Sequence, residues 1–249
     1  MKNYRFYVEY DGTRYLGWQR LGKNQFEKSI QGKIELVLSK LYDLPVEEIN
    51  LIASGRTDAG VHAKAQVANV HLPDNKPMSE IESYCNRYLP EDIRIFGLEE
   101  VEDRFHSRFS AKQKEYHYRI SLSKPSVFEK NYIWYLESEL DFDKIKKAAQ
   151  LLIGEHDFFG FSSLKKTKKS TVREIYNIEI LKEENSIVFI FTGNGFLQNM
   201  IRIIMGTLIE IGEGKKDVDS IILTLNSKKR ENAGFLAPAK GLILYKVSY

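Results

Sequence analysis

The order of apolar and polar positions divides the chain into two runs of similar elements. Residues 4–10 alternate and are rich in Tyr, Phe and Val, which predicts a strand. Asp11-Gly12-Thr13 then reads as a turn. Across 29–41 the apolar positions Ile30, Ile34, Val37, Leu38 and Leu41 form a helical stripe. Short strands are expected at 50–53 and 65–71. Ser79 is the expected N-cap of a helix through Tyr88, stopped by Pro90, and 93–98 closes the first run as a strand.

The second run begins with alternation over 114–122, carried by Tyr116, Tyr118, Ile120 and Leu122. Asp141 is placed to cap a helix reaching about residue 152. Strands follow at 172–181 and 187–191, then helices at 196–211 and near 217–225, and a closing strand at 242–249. Both runs give strand, helix, strand, strand, helix, strand, with one extra helix in the second. That order predicts an α+β fold of two tandem ferredoxin-like (β-α-β-β-α-β) halves, 1–103 and 104–249. Joined edge to edge, they would make a continuous antiparallel sheet with a central cleft. The halves share no evident sequence identity, so the repeat is one of architecture.

Composition narrows the class. The chain has 249 residues, 43% of them hydrophobic and 29% charged, as in an ordinary globular protein. One cysteine, Cys85, excludes an intrachain disulfide and a cysteine-based zinc site, and fits a reducing compartment. The first ten residues lack the hydrophobic region of a signal peptide. The apolar stretch 196–211 is interrupted by Arg202 and Glu210 and is too short to span a bilayer. A cytoplasmic protein without a membrane segment is expected. The net charge of +3 is too small to announce a nucleic-acid binder, so any basic surface must be local. Three basic runs exist. One is 104–114, where Arg104, Arg108, Lys112 and Lys114 alternate with Phe105, His106 and Phe109. The others are 165–169, with Lys165, Lys166, Lys168 and Lys169, and 228–230. Basic residues interleaved with rings suit phosphates and unstacked bases, although each run alone is most simply a solvated surface.

The chemically loaded stretch is 55–62, GRTDAGVH, between the strands at 50–53 and 65–71. Two glycines five apart bound an arginine, an aspartate and, just beyond, an imidazole, in a turn longer than a hairpin requires. Asp58 on its own is more simply a turn former than a catalyst. No serine or cysteine nucleophile accompanies Arg56 and His62. The five histidines are scattered without metal-ligand spacing, so neither a triad nor a metal enzyme is indicated. Gly12 and Gly17 have phosphate-loop spacing, but Trp18-Gln19 follow where Lys and Ser or Thr are required, which excludes a P-loop. Arg202, among Met200, Ile201, Ile203, Ile204 and Met205, calls for an anionic partner.

Seven segments, in order, carry a resemblance. GRTDAGVHA (55–63) resembles the signature of the tRNA pseudouridine synthase A family. YDGTRYLGWQ (10–19), LPEDIRI (89–95), FHSRFSAKQKEYHYRI (105–120), GEHDFFGF (154–161), GFLQNMIRIIMG (195–206) and APAKGLIL (237–244) are similar to its other motifs. Together they span nearly the whole chain. The resemblance implies isomerisation of uridine to pseudouridine at positions 38, 39 and 40 of the tRNA anticodon arm, with no metal or cofactor, by a homodimer. It makes Asp58 the catalytic carboxylate, acting as nucleophile or base. It sets Tyr116 against the target base, Arg202 beside Asp58, and Arg56 where it helps extrude the nucleotide. Arg108 is a candidate phosphate contact. The chain departs from the family pattern at Gln198-Asn199, where paired histidines are common, at Lys114-Glu115, and at Phe235-Leu236. Two other classes are weaker fits. A non-catalytic RNA-binding protein on the same paired units has no need of a glycine-locked aspartate. A glycoside-cleaving enzyme usually needs two carboxylates.

Overall fold

The computed structural model describes residues 1–20, 22, 26–165 and 167–249. In chain order the elements are β1 (Lys2–Tyr10), α1 (Ile30–Tyr42), β2 (Ile52–Ala53), β3 (His62–Leu72), α2 (Met78–Tyr88), β4 (Ile93–Val101) and β5 (Gln113–Ser121). Then come β6 (Trp134–Tyr135), α3 (Phe142–Gln150), β7 (Gly154–Asp157), β8 (Val172–Lys182), β9 (Ile187–Gly193), α4 (Met200–Gly212), α5 (Ser220–Ser227) and β10 (Leu242–Ser248). They form two compact units, residues 1–112 with 243–249, and residues 113–242. Both units are mixed α+β.

In the first unit β1 lies between β4 and β3, antiparallel to each. Its alternation buries Tyr4, Phe6, Val8 and Tyr10 on one face, as the period-two pattern requires. The Ser29 hydroxyl accepts from the Gly32 amide at 3.2 Å and starts α1, whose residues Ile30, Ile34, Val37 and Leu38 are buried. The second helix begins two residues earlier than a cap at Ser79 implies. Pro77 stands at its N-cap without a side-chain bond, its fixed φ of −65° suiting the entry. Two short strands share one edge of β3. β2 runs antiparallel at Asn69 and Ala68, and β10 runs parallel at His62 and Ala63. The expected closing strand of the second half therefore lies in the first unit, and its pairing with β3 is parallel rather than antiparallel.

Residues 104–112 also belong here by their hydrogen bonds. Asn3 Nδ2 donates to Phe105 O at 2.9 Å, and the Ser107 amide donates to Asn69 Oδ1 at 2.9 Å. Tyr249 OH donates to Ser107 O at 2.8 Å, and the Lys112 amide donates to Ser248 O at 2.9 Å. The compact units thus depart from the 103/104 division drawn from the order of elements at two places, this tethered segment and the closing residues 243–249.

In the second unit β5, β9, β8 and β7 pair antiparallel in that order, and β6 adds to β5 in parallel. Asp141 Oδ1 accepts from the amides of Asp143 and Lys144 at 3.1 and 3.0 Å, the expected cap of α3. β6 and β7, of two and four residues, are too short to leave a periodic signal. The helix expected from 196 starts at Met200. Asn199 takes a left-handed φ of 61° at the N-cap, so 196–199 form a turn and not a first helical turn.

Candidate active site

Asp58 lies on the irregular stretch between β2 and β3, and its neighbours fix the backbone on both sides. The Trp18 amide donates to Thr57 O at 3.1 Å, and the Gly60 amide donates to Tyr15 O at 3.3 Å. The Val61 amide closes a turn onto Asp58 O at 3.2 Å, helped by Gly60 at φ 76°. The other side of segment 15–18 is bonded to the start of α1. Leu16 N donates to Lys28 O, Ile30 N to Gly17 O and Gln31 N to Trp18 O, at 2.8, 3.3 and 3.0 Å. The aspartate loop therefore hangs on a helix N-terminus through a short extended ribbon.

The two glycines of this ribbon are required by close approach. A Cβ on Gly12 would lie 2.0 Å from Val61 O, and one on Gly17 would lie 2.5 Å from Thr57 O. Side chains complete the packing. Tyr10 OH and Thr57 Oγ1 are 2.8 Å apart and buried, and burial raises the Tyr10 phenol above its ordinary pKa. Ser54 Oγ donates to Gln66 Oε1 at 2.5 Å while Gln66 Nε2 donates to Gly55 O at 2.8 Å. His62 is buried at the head of β3, and its Nδ1 accepts from the Gly12 amide at 3.0 Å. Asp11 Oδ1 also lies 3.1 Å from that ring nitrogen. His62 is a structural anchor of the loop. Asp58 is half-buried and Arg56 is exposed.

In the second unit Tyr116 is buried on β5 opposite Phe191, with Phe196 edge-on to its ring at 5.3 Å. Tyr118, two residues on, is fully buried. Its hydroxyl donates to Pro238 O at 2.7 Å, and burial raises its pKa. Arg202 occupies the first turn of α4 and is half-buried, less enclosed than its apolar neighbours suggest. Its Nε donates to Ala237 O at 2.8 Å and its Nη1 to Asn199 Oδ1 at 3.1 Å, while the Ala237 amide returns a bond to Arg202 O at 3.1 Å. Glycines again allow the approach. A Cβ on Gly206 would lie 2.0 Å from Phe235 O, and one on Gly234 would lie 2.6 Å from Thr207 Cα.

Of the remaining sequence candidates, Arg108 and Phe109 are exposed on a turn closed by Ser110 N to His106 O, with the rings of Phe109 and His106 tilted by 33° at 4.2 Å. Lys165, Lys168 and Lys169 are exposed, and Lys166 lies outside the described residues. Among the described residues no group of three or more His, Cys, Asp or Glu could hold a metal ion, and no helix is long and apolar enough to cross a membrane.

The family model for tRNA pseudouridine synthase matches residues 7–110 and 148–249. The chain belongs to that family. It is 47% identical over its whole length, and that of its relative, to tRNA pseudouridine synthase A of Bacillus sp. (strain KSM-64). It is 42% identical, again over the full length of both chains, to tRNA pseudouridine synthase A 2 of Bacillus anthracis. A chain in a crystal structure of a Cbf5-Nop10-Gar1 complex aligns with 97% of this chain and 49% of its own at a TM-score of 0.37 and 14% identity, which does not establish a shared fold. As a tRNA pseudouridine synthase, this protein is an isomerase acting on tRNA.

Family membership gives meaning to residues that sequence reasoning passed over. Tyr15, Trp18 and Thr57 hold the loop of Asp58; they lie within the 10–19 and 55–63 motifs, but neither motif singled them out for a role. Asn199 and Ala237 hold Arg202, and Ala237 contributes only its main chain. Main-chain partners leave no mark on side-chain identity.

Proposed function

We propose that this synthase converts uridines at positions 38, 39 and 40 of the tRNA anticodon arm to pseudouridine, with Asp58 as the catalytic carboxylate. The observation that carries the reading is the double backbone anchorage of the Asp58 loop, through Thr57 O and Gly60 N, in a chain of the tRNA pseudouridine synthase family. A turn former does not require its backbone pinned on both sides. A carboxylate that must meet one carbon of a displaced nucleotide does. The reaction breaks the N1–C1′ bond, turns the base, forms the C5–C1′ bond, releases the C5 proton and protonates N1, so atoms and electrons balance without an added oxidant or metal. Asp58 acts in it as nucleophile or general base.

The remaining roles follow from the chemistry each residue offers. Tyr116 presents a ring edge-locked by Phe196 as a surface for the target base. Arg202 supplies the positive charge that keeps Asp58 ionised. Arg56, exposed two residues before Asp58, assists extrusion of the nucleotide. Arg108, with the exposed lysines of 165–169, contacts phosphates. In this reading the two halves are tandem ferredoxin-like units that join in a sheet with an RNA-binding cleft, and the enzyme works as a cytoplasmic homodimer.

The decisive experiment is Asp58→Asn assayed by tritium release from C5-labelled tRNA. Turnover is expected to fall at least about 1,000-fold while tRNA binding persists, because the amide is isosteric but neither nucleophilic nor basic. Normal turnover in that variant would remove Asp58 from the chemistry. Mapping pseudouridine in tRNA from a strain lacking the gene tests the three positions.

A further inference from the structure

The segment LPEDI (89–93) contains none of the residues assigned a chemical role, yet its aspartate is tied to the ribbon that carries the Asp58 loop. Asp92 Oδ1 accepts from Tyr15 OH at 2.5 Å. Asp92 Oδ2 accepts from Arg14 Nε and Nη2 at 2.9 and 2.6 Å, and Asp92 O accepts from the Asp11 amide at 3.0 Å. Four bonds thus converge on one residue from the turn 11–15. Tyr15 is then held at three points. Its hydroxyl is on Asp92, its amide donates to Gly12 O at 3.0 Å, and its carbonyl accepts the Gly60 amide two residues beyond Asp58. The ring is buried, so the phenol has little freedom to find another acceptor.

We infer that Asp92 and Tyr15 are positioning residues for the catalytic loop, the Asp92–Tyr15 bond fixing where Tyr15 O meets Gly60 N and hence where Asp58 stands. The inference rests on Asp58 being the catalytic carboxylate. Neither residue touches the reacting atoms; both act through the main chain of 15–18. Gly17 marks how little slack exists on the opposite flank, since its missing Cβ is space occupied by Thr57 O and by Asp58 C at 3.0 Å. A shift of Tyr15 therefore cannot be absorbed by sliding the ribbon toward Thr57. It must appear in the 58–60 turn.

The test uses the full-length protein and two variants. Tyr15→Phe deletes one hydroxyl and keeps the ring, and Asp92→Asn keeps shape and one acceptor oxygen but loses the charge. Each is measured for kcat and KM on tRNA and for hydrogen exchange of the Gly60 amide in the free protein. The expected result for Tyr15→Phe is a kcat lowered about tenfold or more, with KM within about twofold and Gly60 exchange accelerated about tenfold. Asp92→Asn should fall in the same direction and by less. An unchanged kcat with unchanged Gly60 exchange overturns the inference. So does a KM rise with kcat intact, which would place these residues in tRNA binding. Faster exchange with full kcat leaves a structural brace without a catalytic consequence and also overturns it. The Asp58→Asn assay separates the two levels. If that variant turns over normally, both the reading and this inference fall, whereas an inactive Asp58→Asn beside an unaffected Tyr15→Phe removes the inference alone.

Discussion

The loop of Asp58 and the first turn of α4 around Arg202 present opposite charges by opposite means. At Asp58 the main chain is pinned. Bonds to Thr57 O and from Gly60 N come from a ribbon that is itself bonded to the start of α1. At Arg202 the main chain is helical, with one added bond from the Ala237 amide, and the guanidinium itself is held by Ala237 O and Asn199 Oδ1. A short aspartate has one χ1 and one χ2, so fixing its backbone fixes most of its reach. A long arginine has four torsions, and a fixed Cα would leave its head free over several ångströms. Each unit restrains what its residue leaves loose. Both use glycine for the purpose, Gly12 and Gly17 in one case, Gly206 and Gly234 in the other.

The largest expected effect comes from filling those glycines. Gly17→Ala places a methyl 2.5 Å from Thr57 O at a φ of 101°, so it adds left-handed strain to a clash with the loop itself. Gly206→Ala places a methyl 2.0 Å from Phe235 O, four residues beyond Arg202. Both should lower stability by about 2–3 kcal/mol, read from denaturant midpoints. Their activities should part. If Asp58 is the catalytic carboxylate as proposed, the folded fraction of Gly17→Ala should lose about 100-fold in kcat, since a displacement near 1 Å then falls on the reacting group. Gly206→Ala should lose about tenfold or less, because the side-chain bonds of Arg202 can follow a small shift of the helix. Equal losses in kcat would mean that the backbone matters as much at Arg202 as at Asp58.

The two regions also differ in what their sequence disclosed. The longer strands and helices of both units follow from periodicity, and Asp141 caps where the pattern placed it, whereas Pro77 and not Ser79 stands at the N-cap of α2. Asp58 stood out because two glycines and a run of charged side chains broke the alternation. Arg202 stood out as a charge in an apolar helix. What held them did not show, because Tyr15 O, Gly17 O, Thr57 O and Ala237 O are main-chain groups that any residue supplies. The left-handed Asn199 that delays α4 to Met200 was hidden for another reason, since an apolar run reads as helix through a turn of the same composition. The parallel seat of β10 beside β3 was hidden as well. Element order fixes what the strands are, and pairing between residues far apart in the chain fixes where they go.

An intermediate effect is expected for Arg202→Lys. The ammonium keeps the charge but cannot span Ala237 O and Asn199 Oδ1 from a planar fork. We expect kcat to fall about tenfold with little change in the denaturation midpoint, and Asn199→Ala to reproduce a smaller part of the loss. If Arg202→Lys retains full kcat, charge alone suffices and the two-point hold is incidental. If instead Asn199→Ala costs as much as Arg202→Lys, the hold on Nη1 carries most of the function.

The smallest effect belongs to Thr57→Val, and it bears most directly on the contrast between the two regions. The variant keeps the β-branched shape and removes only Oγ1, the 2.8 Å partner of Tyr10 OH. Burial is the main reason the Tyr10 phenol is shifted upward, and Gln66 remains as a second side-chain partner, so the hydroxyl is not orphaned. A loss of about 1 kcal/mol in stability is expected, the usual net value of one buried hydrogen bond. Turnover should change by less than about threefold, because Thr57 holds the loop through its carbonyl to Trp18 N, and that bond survives the substitution. Tyr10→Phe and the double variant complete a cycle whose coupling energy should account for most of the stability loss. If Thr57→Val costs as much kcat as Gly17→Ala, the side chain rather than the main chain positions Asp58. The loop would then work as the helix does, by restraint of side chains, and the distinction between the two would not hold.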